Sequence, residues 1–246
     1  MRRRRWLSSD QDRAVIVSAH SPERTDRRFA AMDLAIVISV FAAGSLCVPF
    51  LNPILRNGHG LIMVFAAAAF QFLLEGLAPL TLMALRREPF SDYGFIRRNA
   101  GWSLVLGLAF ALFYDLVLSW HAGAAMWIPL QRQPAVRMSV AAGFPLGAAG
   151  LIVTVFTWGF LEGFFGIYFA RKVNMMLGHS GCGWLAPGVL AFAIFNGGIH
   201  LLVGQGLEGF LTSSASGYAI AVIPAVTGNA WGGTLVQSLT NAVGRL

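Results

Sequence analysis

Apolar residues run along this chain in blocks long enough to cross a bilayer, which takes about 20 residues of helix. Short segments rich in proline, glycine and arginine separate the blocks. The pattern predicts spans over 30–51, 61–85 and 102–120, a long stretch over 138–170, and a further span over 185–202. The stretch 138–170 reads either as one tilted span or as a short helix running into a span near Gly147 and Gly150. After Gly204-Gln205-Gly206 come 207–226 and 230–243, divided by Thr227-Gly228-Asn229. These two read as a helical hairpin, with one long kinked span as the alternative. The fold class is all-α: a polytopic helical membrane protein with about six to seven transmembrane helices.

Composition sharpens this picture. The chain is 56% hydrophobic and only 12% charged, where a soluble domain carries about 25% charged residues. The net charge of +7 is sited in the N-terminal arm, at 86–98, and at Arg171-Lys172. By the positive-inside rule these segments are cytoplasmic, which places the N-terminus inside a cell (inner) membrane. Residues 1–29 are read as a basic cytoplasmic arm and 30–246 as a single helical transmembrane domain. No apolar core follows the first arginines directly, so a cleaved signal peptide is not expected. The segment 90–99 reads as interfacial, and 171–184 as a cytoplasmic loop. The expected partners are the lipid bilayer and other membrane proteins. Nucleic acid is not among them, because no basic motif is interleaved with exposed aromatics. Cys47 and Cys182 fall on opposite sides of this topology, so no disulfide is expected.

Polar side chains inside the apolar blocks carry the candidate chemistry. Glu162 lies in Thr157-Trp158-Gly159-Phe160-Leu161-Glu162, and a carboxylate at bilayer depth costs at least ~2.5 kcal/mol on insertion scales. Asn196 and His200 lie four apart on the next span, and Gln237 and Asn241 four apart on the last segment; each pair shares one helical face. Gln71 and Glu75 do the same on the second span, and Asp115 stands beside Tyr114 on the third. For any one pair, interhelical bonding worth ~0.6 kcal/mol suffices as an explanation. Three polar faces on three successive segments point instead to a shared pocket. In such a pocket Glu162 and His200 can activate a water while Asn196, Gln237 and Asn241 orient it or hold an oxyanion. Glu162 lies roughly 13 Å and His200 roughly 22 Å from the basic side, a mismatch that tilt can absorb.

In Glu162-Gly163-Phe164-Phe165-Gly166, in Phe192 to Leu201, and in Gly228-Asn229-Ala230-Trp231 followed by Gln237-Ser238-Leu239-Thr240-Asn241, the chain resembles the CPBP intramembrane proteases. These are the CAAX prenyl endopeptidase and bacteriocin-processing group, also called Abi. Tyr93-Gly94-Phe95-Ile96-Arg97-Arg98 is similar to the segment that precedes the family's helices, and the likeness covers about 85–245. The family pattern is a Glu-Glu pair followed by arginine, then Phe-x-x-x-His, then His-x-x-x-Asn. The resemblance implies glutamates and histidines that activate water, with a metal as a further proposal for the family. Here one glutamate of the pair is missing, no arginine follows, Phe195 is five residues before His200, and Gln237 stands where the second histidine belongs. The resemblance therefore implies a catalytically degenerate relative acting as a scaffold or as a subunit of a larger membrane complex. The alternatives are an active intramembrane endopeptidase and a small transporter lined by Glu75, Asp115 and Glu162. No cofactor is expected; a metal at Glu162 and His200, or a pigment on His200, has no further support in the sequence.

Overall fold

The computed structural model describes residues 24–47, 60–121, 123, 134–179 and 183–241. The arm up to residue 23, most of the loops at 52–60 and 121–137, and Cys182 lie outside the described residues. Among those described, every regular element is a helix: α1 Arg24–Ser45, α2 Leu61–Arg86, α3 Ala100–His121, α4 Pro134–Ala141, α5 Leu146–Leu177, α6 Pro187–His200, α7 Gly206–Thr227 and α8 Trp231–Thr240. Five runs are long and apolar enough to span a membrane, the fifth being Pro187–Thr227. That run is two antiparallel helices, because Gly204 (φ 84°) and Gly206 (φ 66°) take left-handed conformations that turn the chain back between α6 and α7. The protein is a helical membrane protein. Its outer face agrees: α3 exposes Val105, Leu108, Leu112, Phe113 and Leu116, a continuous apolar patch that water would not tolerate.

The second half of α5 is the axis of the bundle. Residues 163–170 are buried on every side, as expected of a helix apolar all round. Phe41 of α1 stacks on Phe165, and Phe195 of α6 stacks on Phe169 with centroids 4.7 Å apart. Tyr93 lies flat on Tyr168. Such ring pairs contribute roughly 0.5–1.5 kcal/mol each beyond their burial.

Of the two readings of 138–170 the structure has the second, a short helix running into a span beside Gly147; the junction falls at residues 142–145, where Gly143 takes φ 69° and Pro145 opens the new helix. Other elements differ from the sequence reading. The stretch read as a loop from 171 begins as helix: α5 continues to Leu177 and ends at Gly178 in the left-handed conformation. The first helix starts at Arg24, inside the stretch read as the arm. The hairpin of α7 and α8 forms at Gly228-Asn229. Asn229, fully buried, fastens it by donating Nδ2 to the carbonyls of Ile96 (2.7 Å) and Arg98 (2.8 Å).

Candidate functional site

α2 and α5 each widen into a π-helical turn midway along their length, over Phe72–Leu77 and Val155–Leu161. Such turns gather at functional sites. The first contains Glu75 and is followed by Pro79, which has no N–H for the Glu75 carbonyl. The second ends against Glu162. Gly76 packs on Leu161, so the two widened turns touch, and Glu75 faces Glu162. Glu75 is 6% exposed, and its Oε2 is buried without a hydrogen-bond partner. Gln71, one turn back, is within hydrogen-bonding reach of the same carboxyl.

Glu162 is held from α8. Asn241 Nδ2 donates to Glu162 Oε2 at 2.7 Å and to the Trp158 carbonyl at 3.3 Å. Gln237, buried, is within hydrogen-bonding reach of Glu162. Three of the five candidate residues, Glu162, Gln237 and Asn241, therefore meet, and Glu75 joins them from α2.

Asn196 and His200 lie on another face. Phe192 and Phe195 occupy the side of α6 toward α5, which turns Asn196 toward α7, where its Nδ2 donates to the Ser213 carbonyl at 2.8 Å. His200 Nδ1 lies 2.7 Å from Gln205 Oε1 at the α6–α7 turn. No hydrogen bond or ion pair joins His200 to Glu162. The site is thus a set of carboxyls and carboxamides. Among the described residues no three His, Cys, Asp or Glu side chains gather. A groove of about 520 Å³ beside the second widened turn is lined wholly by apolar side chains, among them Val155, Phe156, Phe160 and Trp231.

A second polar centre lies about ten residues along α5, roughly 15 Å toward the basic end. Lys172, only 1% exposed, donates Nζ to Asp33 Oδ2 (2.9 Å) and to Glu88 Oε1 (2.7 Å). Asp33, 0% exposed, also accepts from Arg86 Nη2 at 3.1 Å. Tyr93 donates its hydroxyl to Glu88, and Arg171 lies over the Tyr93 ring while donating to the Asp92 carbonyl. Two cations and two carboxylates balance, and they clamp α1, α2, the 88–93 turn and α5 together. The sequence reading did not single out Asp33 or Glu88. The available signal was Asp33 itself, a lone acid inside an apolar run.

Burial, reinforced by the bond to Glu88, pushes the Tyr93 phenol far above its ordinary range. The unfolded phenol ionises at about pH 10 while the folded one keeps its proton, so this contribution to stability is present below about pH 10 and is lost as pH rises beyond it. Unfolding in detergent from about pH 8 to about pH 11 will show a shallower alkaline decline for Tyr93→Phe than for the wild type. Identical slopes would contradict the assignment.

No protein-family model, no curated protein and no solved structure matches the chain. Fold and site together define a class, a helical membrane protein with a carboxyl and carboxamide centre midway along its helices.

Proposed function

We propose that this chain is a catalytically silent, CPBP-like membrane protein that works as a scaffold or subunit of a larger complex in the cell membrane, with its N-terminus cytoplasmic. The observation that carries this reading is the company of Glu162. Its carboxyl is held by two carboxamides, Asn241 and Gln237, with no imidazole bonded to it. A carboxamide cannot take a proton from water as a general base does. Counted from Phe192, the histidine position of Phe-x-x-x-His is Asn196, which gives its amide to a backbone carbonyl. Orientation is supported by charge, since Arg27, Arg86, Arg87, Arg97, Arg98, Arg171 and Lys172 gather at one end of the bundle.

One observation favours a second reading. Glu75 supplies from α2 the second carboxyl that the motif on α5 lacks. An intramembrane endopeptidase built on Glu75 and Glu162 would activate water between them and hold the oxyanion with Asn241 and Gln237.

A mild-detergent pull-down of tagged wild type, Glu75→Gln, Glu162→Gln and His200→Ala separates the two. The scaffold reading expects stoichiometric membrane-protein partners retained equally by all four. Membrane proteins that accumulate uncleaved only in the two carboxyl variants would sink it in favour of the endopeptidase.

A further inference from the structure

We infer that Glu75 and Glu162 form a binding site for a single proton, shared between two carboxyls of different helices midway across the membrane. The inference holds whichever of the two readings above is correct, since it concerns what the pair binds and not what the chain cleaves or assembles with. Both residues sit at the centre of their spans. Glu75 is fourteen residues past Leu61 and eleven before Arg86; Glu162 is sixteen past Leu146 and fifteen before Leu177. Glu75 lies within a π-helical turn and Glu162 directly follows one, and the two turns touch through Gly76 and Leu161.

Charge balance at this level points to a proton. The groups facing the pair are Gln71 from α2 and Gln237 and Asn241 from α8, all neutral. α1 reaches the same level through Gly44 packed on Leu74 and brings no titratable group. Among the described residues no lysine, arginine or histidine pairs with either carboxyl; the cations of the neighbouring centre are used by Asp33 and Glu88. Two bare carboxylates facing each other without a cation are strongly disfavoured in a low dielectric. Glu75 Oε2, buried and without a partner, is free to take the hydrogen bond that a shared proton would make. Glu162 is half-buried where Glu75 is closed off, so Glu162 is the entry side and Glu75 the inner end.

Dicyclohexylcarbodiimide reads this directly. The lipid-soluble reagent takes the carboxyl proton on nitrogen while the carboxyl oxygen adds to its central carbon; the adduct rearranges to a stable N-acylurea and nothing leaves. Membranes holding the full chain would be treated from about pH 5 to about pH 9 and the adducts mapped by peptide mass spectrometry, a range that covers strongly perturbed carboxyls. A water-soluble carbodiimide would serve as the comparison. The expected result is at most one adduct per chain, divided between Glu75 and Glu162, made by the lipid-soluble reagent alone. Both positions should lose it together in one step as pH rises, because a coupled pair titrates as a unit. Glu75→Gln/Glu162→Gln should drop labelling to background. Two adducts on one chain, no adduct at any pH, or separate pH dependences at the two positions would each overturn the shared site.

Discussion

Replacing Lys172 with methionine will lower the unfolding free energy by about 3–5 kcal/mol, the usual cost of removing one partner from a buried ion pair. Methionine keeps the volume and the stem, so the loss is electrostatic. Asp33, 0% exposed, is left with Arg86 alone, and Glu88 is left with the Tyr93 hydroxyl. Three chain segments meet at that ammonium, α5 that carries it, α1 through Asp33 and the 88–93 turn through Glu88, so α1 and the 88–93 turn will loosen together. Unfolding of the detergent-solubilised protein, followed by helical circular dichroism, gives the number. Asp33→Asn in the same background tests the coupling, and the double variant should lose clearly less than the sum of the two single losses. A loss for Lys172→Met below about 1 kcal/mol, the range of exposed pairs, would show that water reaches this centre.

Lys172 also illustrates what sequence pattern conveys and where it stops. Hydropathy located the apolar blocks because each span must satisfy its own backbone, so its length is written locally. The same logic ended the fourth block at Arg171-Lys172, since cations usually mark a membrane edge. The helix passes through them to Leu177, and the lysine is accepted because Asp33, 139 residues earlier, and Glu88 wait for it. No local signal carries that pairing. The candidate site divides in the same way. A spacing of four told that Gln237 and Asn241 share a face, and that Asn196 and His200 share another. It did not tell which neighbour each face meets. On α6, Phe192 and Phe195 occupy the side toward α5, where they join the aromatic cluster around Phe165 and Phe169, and the polar face turns to α7. Glu75 was legible as a buried acid, but its position opposite Glu162 follows from the packing of α2 on α5.

The placement of Gln237 and Asn241 depends in turn on a contact some distance from them, and Gly232→Val is the substitution that will expose it. α3 and α8 cross with their backbones touching. A Cβ on Gly232 would stand 2.0 Å from the Ser103 carbonyl oxygen, and one on Gly107 would stand 2.4 Å from the Gly232 carbonyl oxygen. Ser103 completes the crossing by accepting from the Gly232 N–H at 2.9 Å and donating to the Asn229 carbonyl at 2.8 Å. Small residues at helix crossings serve this purpose in membranes, where close packing replaces the hydrophobic effect as the driving force. Valine adds three carbons against backbone that cannot yield. Retreat is blocked as well, because Gly233 lies against the Ile220 carbonyl of α7, where a Cβ would stand 2.4 Å away. The expected loss is about 3 kcal/mol, the upper end of the usual overpacking range. The same change at Gly101, where a Cβ meets nothing within 4 Å, should be close to neutral, since valine is the better helix former by a few tenths of a kcal/mol. Since α8 carries the two carboxamides that hold Glu162, Gly232→Val should also free that carboxyl, and its carbodiimide labelling should extend to the water-soluble reagent. An unchanged unfolding midpoint would mean that the two backbones stand apart, and the hold of α8 on Glu162 would then need another anchor.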